Sequence, residues 1–74
     1  MKINILAKKK GLFYGINILH LRTMLERKNI KCQIRVINNN AKGCNAVVYT
    51  ENNAVIDVIN SMPDRFKIKK ITEG

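Results

Sequence analysis

The sequence predicts a single α+β domain spanning residues 1–74, with the element order βαββαβ. Three observations predict it. The chain of 74 residues is long enough for one domain only. Hydrophobic residues make up 46% of it, which suffices for a packed core. Four segments have strand-like patterns and two have helical spacing, in the order just given.

The first strand and the first helix follow from their apolar spacing. Met1–Ala7 mixes isoleucines with polar residues, as in a strand buried on at least one face. Over Leu12–Asn29 a helical stripe recurs every three or four residues, formed by Tyr14, Ile18, Leu21 and Leu25. We expect this helix to end at Lys28 or Asn29, because asparagine tolerates the left-handed backbone of a helix cap.

A hairpin is predicted next. Ile30–Ile37 alternates with period two, which places Cys32, Ile34 and Val36 on its inner side. Asn38–Gly43 is rich in turn residues, and Cys44–Thr50 is the next strand. A connection this short excludes a parallel crossover, so the two strands are expected to be antiparallel. A turn centred near residues 40 and 41 would set Cys44 opposite Ile37 or Asn38 and Cys32 opposite the Tyr49 region, too far apart for a disulfide.

The last third of the chain predicts a helix and a strand. Residues 51–53 can cap a helix that continues to Met62 and stops at Pro63. Because valine and isoleucine are middling helix formers, Ala54–Ile59 could instead be a strand. Phe66–Ile71 alternates as the final strand. This order is typical of a ferredoxin-like two-layer sandwich, a four-stranded antiparallel sheet with two helices on one face. A doubly wound sheet with a phosphate loop at Lys8–Gly15 is the alternative.

The charge balance favours an anionic partner. Fourteen Lys and Arg against five Asp and Glu give a net charge of +9, which suits nucleic acid or an acidic protein surface. Ten of the fourteen are lysine, which binds phosphate less specifically than arginine does. Ile, Asn and Lys together make 31 of 74 residues, and AT-rich coding alone can produce such a bias. No segment has the length or hydropathy of a signal peptide or membrane helix, so we expect a cytoplasmic protein.

Two candidate binding features are basic. The sheet face without helices would carry Lys2, Asn4, Gln33, Arg35, Val47, Tyr49, Lys67 and Lys69. Single strands bind such faces through stacking and phosphate contacts, although a solvated face or a dimer interface has the same pattern. The lysine turn Lys8, Lys9 and Lys10 precedes the first helix, where an anion could also bind. The nucleic-acid-binding residues we predict are these three lysines with Arg35, Tyr49, Lys67 and Lys69.

No catalytic or metal motif is present, so neither an enzyme nor a cofactor is expected. His20 is expected to be exposed and has no metal-ligand spacing with the cysteines. Cys32 alternates with the inner residues of its strand and is expected to be buried. Cys44 follows a glycine beside Lys42, where partial exposure and a nearby cation would lower a thiol pKa, although a packing residue at the edge of a strand is the more common case.

One family resemblance covers Leu25–Thr72. The Leu-x-x-x-x-Ile helix exit, the Gly43-Cys44 pair, and the strand, helix and closing strand that follow resemble the small sulfur- or selenium-carrier-like domains of anaerobic bacteria. The resemblance implies a carrier thiol, and only Cys44 matches its position. Other small ferredoxin-like domains share the same topology.

The leading interpretation is a non-enzymatic binding module that contacts nucleic acid or a ribonucleoprotein. A thiol carrier using Cys44 is one alternative. A protein-interaction or inhibitory module encoded by a mobile element is another. A second apolar patch outside the main helical stripe would allow a homodimer and consists of Leu12, Phe13, Ile16 and Leu19.

Overall fold

The structure is a computed structural model that describes residues 1–8, 15–40 and 43–73, and the side chains of 1–8, 17–38 and 43–73. Its elements are β1 (Lys2–Lys8), α1 (Gly15–Arg27), β2 (Gln33–Asn40), β3 (Gly43–Tyr49), α2 (Ala54–Asn60) and β4 (Phe66–Thr72). The predicted order βαββαβ is therefore confirmed. The start of the first helix predicted at Leu12, and Tyr14 of its stripe, lie outside the described residues.

The four strands form one antiparallel sheet in the spatial order β2-β3-β1-β4. Strands β1 and β3 are in the centre, while β2 and β4 are the edges. The antiparallel pairing of β2 with β3 confirms the predicted hairpin and excludes the doubly wound alternative, whose sheet would be parallel. This arrangement is the predicted small ferredoxin-like α+β fold.

Both helices pack on the same face of the sheet. Alternate residues of the central strands are buried there, with Ile3 and Ile5 from β1 and Val48 from β3. The helices contribute the other half of the core, which contains Ile18, Leu21, Leu25, Val55, Val58 and Ile59. The predicted stripe of α1 is thus confirmed over its described part. The opposite face of the sheet has no helix over it.

Helix α1 ends at Arg27, and Asn29 forms the left-handed cap that the sequence predicts. Asn29 has φ = 56°, the left-handed conformation. Its N–H donates to the Glu26 carbonyl at 3.0 Å, and the Ile30 N–H donates to the Leu25 carbonyl at 3.0 Å. This pair of bonds is the Schellman motif, in which the backbone N–H of Ile30 caps the end of α1. Strand β2 therefore begins at Gln33 rather than at the predicted Ile30.

Helix α2 confirms the helical alternative for Ala54–Ile59. The Asn52 side-chain Oδ1 accepts from the Ala54 N–H at 2.9 Å, which satisfies one donor of the first turn. Thr50 fixes the approach to the helix: its hydroxyl donates to the Lys31 carbonyl at 3.0 Å and accepts from the Asn52 N–H at 3.1 Å. The buried Val55, Val58 and Ile59 show why β-branched residues are tolerated here, since packing outweighs helix propensity.

The edge strands each contain a β-bulge, which the alternation did not predict. In β2 the register shifts between Val36 and Asn38, so Ile37 is the extra residue. Pairing then continues to Asn40 opposite Gly43, and Cys44 lies opposite Asn39, one position beyond our prediction. The predicted turn Asn38–Gly43 is therefore strand at both ends. Val36, expected to be buried, is 47% exposed because it lies on an edge strand next to the bulge.

Strand β4 has its bulge between Ile68 and Lys70, where Lys69 is the extra residue. Ile68 pairs with Ile5 and Ile71 pairs with Ile3, so both isoleucines belong to the helix face although three positions separate them. Lys70, predicted to alternate with Phe66 and Ile68, pairs with Asn4 and lies on the opposite face. The predicted alternation is thus wrong beyond Ile68.

Gly43 begins β3 with φ = +145°, a conformation that side chains rarely adopt. A Cβ at this position would overlap the carbonyl oxygen of Ala7 in β1. The close approach of these two central strands therefore requires glycine.

Candidate nucleic-acid interface

We call the helix-free surface the open face and define it by the paired residues that point away from the core. Successive rows across β2, β3, β1 and β4 follow from the register. These rows are Gln33, Tyr49, Lys2, Thr72; then Arg35, Val47, Asn4, Lys70; and then Asn38, Asn45, Leu6, Lys67. The structure thereby brings together Arg35, Tyr49 and Lys67, which the sequence predicted as one surface.

Charge is segregated between the two faces of the sheet. The described strands hold six cations, and all belong to the open face: Lys2, Lys8, Arg35, Lys67, Lys69 and Lys70. None of the five side-chain carboxylates lies in a strand: Glu26 and Asp57 are in the helices, Glu51 and Asp64 are in loops, and Glu73 follows β4. A surface with one sign of charge attracts polyanions over a distance of several ångströms.

Lys70 is the cation that the sequence prediction missed. The bulge at Lys69 moves Lys70 into the row of Arg35 and Asn4. The spacing of Ile68 and Ile71 was the available signal, because two apolar residues three apart in a strand share one face only if an extra residue lies between them. The same bulge leaves Lys69 on the open face, where its side chain contacts Asn45.

A hydrogen-bond chain crosses the open face. The Lys69 Nζ donates to the Asn45 Oδ1 at 3.2 Å, and the Asn45 Nδ2 donates to the Asn38 Oδ1 at 2.7 Å. Since β1 lies between β4 and β3, the Lys69 side chain reaches over β1 to make this contact. The chain borders a depression of about 550 Å³ that is also lined by Asn4, Ile37 and Lys70.

Tyr49 is half-buried on the open face, and the Lys2 ammonium lies 5.8 Å from the centroid of its ring. At this distance the cation interacts with the ring face. Tyr49 also lines an open depression of about 1060 Å³ at this end of the sheet, together with Lys31, Gln33 and one carboxylate, that of Glu51. A base that stacks on this ring face takes the place of the Lys2 ammonium group, which is then free to bind a phosphate.

Val47 lies in the middle of the open face but is only 5% exposed. It is flanked along its row by Arg35 and Asn4 and along its strand by Asn45 and Tyr49. Long polar side chains therefore close over the centre of this face, which presents polar and charged groups rather than a bare apolar surface.

The predicted lysine turn is described only in part. Lys8 is exposed at the end of β1, and its Nζ donates to the Pro63 carbonyl at 3.0 Å. The carbonyl of Lys8 accepts from the buried Asn17 side chain at 2.8 Å, which ties the strand to α1. Lys9 and Lys10 lie outside the described residues.

The two cysteines reverse our expectation. Cys44, expected to be accessible, is 1% exposed, because β3 is a central strand and this residue faces the core opposite Ala7. Burial raises the pKa of its thiol above the ordinary value. Cys32, expected to be buried, is only half-buried. Burial also raises its pKa, and the positive charge of Arg22 opposes that effect. The prediction of a lowered pKa at Cys44 was therefore wrong.

The other expectations have mixed outcomes. His20 is exposed, as predicted. Within the described ranges, no group of three or more His, Cys, Asp or Glu side chains could hold a metal ion. Leu19 of the second apolar patch is 61% exposed, whereas Leu12, Phe13 and the side chain of Ile16 lie outside the described residues. No helix in residues 1–8, 15–40 and 43–73 is long and apolar enough to cross a membrane.

Comparisons with protein-family models, with curated proteins and with solved structures gave no match. What this chain does therefore has to be inferred from its own residues and their geometry.

Proposed function

We propose that this protein is a non-enzymatic binding module that contacts nucleic acid, alone or in a ribonucleoprotein, through the open face and the lysine turn. The segregation of charge carries the proposal: every cation of the described strands is on one face, and no carboxylate lies in a strand. Because the other face is the buried core, any charged strand residue has to lie on the open face, and the informative observation is that all of these charges are positive. The two free thiols suit the cytoplasm as the place of action.

The shape of the open face favours a single strand over a duplex. Four strands spaced about 4.8 Å apart place the two outer strands roughly 14 Å from each other, without their side chains. The major groove of B-DNA, about 12 Å wide, admits a helix or a two-stranded ribbon but not such a sheet. A single strand can instead lie across the sheet, with its phosphates near the lysines and a base on Tyr49.

Salt dependence tests the proposal. Affinities of labelled single-stranded RNA, single-stranded DNA and duplex DNA are measured by fluorescence anisotropy over a range of salt concentrations. Each phosphate contact contributes about 0.7 to the logarithmic salt slope for a single strand. The double variant Lys67→Ala/Lys70→Ala should therefore lower the slope by roughly 1.4 if both lysines contact phosphates. The triple variant Lys8→Ala/Lys9→Ala/Lys10→Ala examines the lysine turn in the same way.

The chain offers a matched control. Arg27 and Lys28 are both exposed at the end of α1, and the variant Arg27→Ala/Lys28→Ala removes the same two charges away from the open face. We expect this control to leave the slope unchanged. Equal losses in the two double variants would mean that only net charge matters and would reject the open face as the interface. Absence of binding to every probe at low salt would reject nucleic acid as the partner and favour an acidic protein.

A further inference from the structure

The bulges of the two edge strands lie at one level of the sheet. Ile37 lies in β2 between Val36, which pairs with Ala46, and Asn38, which pairs with Asn45. Lys69 lies in β4 between Ile68, which pairs with Ile5, and Lys70, which pairs with Asn4. Because Ile5 pairs with Ala46, these positions are neighbours across the sheet. Bulges increase the local twist and redirect side chains. The depression of about 550 Å³ on the open face lies between them.

The lining of this depression has the chemistry of a base-recognition site. Three carboxamides line it, from Asn4, Asn38 and Asn45, together with the two ammonium groups of Lys69 and Lys70. A carboxamide offers a donor and an acceptor side by side and can pair with the edge of a base, whereas an ammonium group only donates. The exposed side chain of Ile37, 57% accessible, adds an apolar contact at the same place.

The hydrogen-bond chain orients two of the carboxamides before any ligand arrives. Asn45 accepts from Lys69 through Oδ1 and must therefore present Nδ2 to Asn38. The Asn38 Oδ1 accepts that bond, which leaves its Nδ2 as the donor end. Side chains that are already ordered lose less entropy on binding, and this increases affinity and selectivity.

We infer that this depression is a subsite for one adenine base of a bound single strand. The inference rests on the proposed function and specifies which chemical group enters the depression. The asparagines of the lining can pair with the N6 amino group and N7 of adenine through both ends of the carboxamide, and cytosine has no such edge. Asn38 and Asn4 contact the edge of the base, Ile37 packs against its face, and Lys69 and Lys70 bind the flanking phosphates.

Short oligonucleotides of one base test the inference. We expect an eight-nucleotide oligoadenylate to bind about tenfold more tightly than the oligocytidylate of equal length, which is the discrimination typical of one well-placed pair. Ribose and deoxyribose versions are compared, so that a preference for RNA or DNA is measured in the same experiment. The variant Asn38→Ala should abolish the tenfold difference and leave the salt slope unchanged, because no phosphate contact is removed.

Asn60→Ala is the matched control, since Asn60 is exposed at the end of α2 away from the open face. Asn38 is itself exposed, so its substitution leaves the core intact, and circular dichroism checks the fold of both variants. Binding without any preference for adenine, or a preference that survives in Asn38→Ala, overturns the subsite while the proposed function stands. Absence of binding to every oligonucleotide overturns both.

Discussion

The ammonium group of Lys69 lies 3.2 Å from the side-chain oxygen of Asn45, and the two residues belong to strands that are not neighbours. The lysine side chain crosses β1 to reach β3. A bulge makes this possible, because Lys69 is the extra residue of β4 and does not occupy an ordinary pairing position. One irregularity of the backbone thus links both edges of the open face and orders the carboxamides between them.

Stacking on Tyr49 can be separated from charge. We expect Tyr49→Leu to weaken the binding of a single strand by about 1 to 3 kcal/mol, the range for one stacked base, with the salt slope unchanged. Tyr49→Phe keeps the ring and should bind like the wild type. Anisotropy titrations of the three proteins make the comparison, and equal affinities of Tyr49→Leu and wild type would show that no base stacks there.

Thiol reactivity should follow burial rather than position in the chain. Cys32 is half-buried and Cys44 is almost completely buried, so iodoacetamide should modify Cys32 first in the folded protein. Burial raises the pKa of both thiols, so the reactive thiolate forms at higher pH than in a free cysteine and both rates should increase as the pH rises.

Mass spectrometry of partly alkylated protein identifies the modified residue, and unfolded protein serves as the control in which both cysteines react equally. Faster modification of Cys44 would contradict its burial. It would also restore the carrier thiol that the family resemblance implies.

The approach of β3 to β1 should make Gly43 intolerant of a side chain. We expect Gly43→Ala to lower the free energy of unfolding by at least about 2 kcal/mol, because alanine is strained at this φ and its Cβ overlaps the Ala7 carbonyl oxygen. Urea unfolding followed by circular dichroism measures the change. Wild-type stability in Gly43→Ala would mean that the two strands separate without cost.

The cap of α1 offers a pair of opposite substitutions. Asn29→Ala should cost about 1 kcal/mol of stability, since alanine disfavours the left-handed conformation that Asn29 adopts. Asn29→Gly should be as stable as the wild type or slightly more so, because glycine adopts this conformation freely. Thermal melts of the two variants distinguish a backbone effect from the loss of a side-chain contact, which would destabilise both.

The elements themselves could be predicted from local patterns. The apolar spacing of Ile18, Leu21 and Leu25 is sufficient for α1, and the short connection between β2 and β3 is sufficient for an antiparallel hairpin. These features depend on neighbours in the chain, so the sequence contains all the information that they require.

The candidate site could be predicted only in part. The alternation along the strands predicts that the open face carries Arg35, Tyr49 and Lys67, and the structure places all three there. The accessibility of Cys44 could not be predicted, because it depends on β3 being a central strand. A cysteine next to a turn is exposed on an edge strand and buried in the middle of a sheet.

The sequence by itself determined the order of the elements, the inner face of each helix and the excess of positive charge. It also placed Lys2, Arg35, Lys67 and Lys69 on the open face, whereas only the tertiary structure added Lys70 to them. After each bulge, at Ile37 and at Lys69, the later residues of the strand point to the face opposite to the one that simple alternation predicts. The bulges arise from pairing with a partner strand rather than from local preference. For this reason Lys70 joins the open face and Lys69 reaches Asn45, and both facts depend on how β4 pairs with β1.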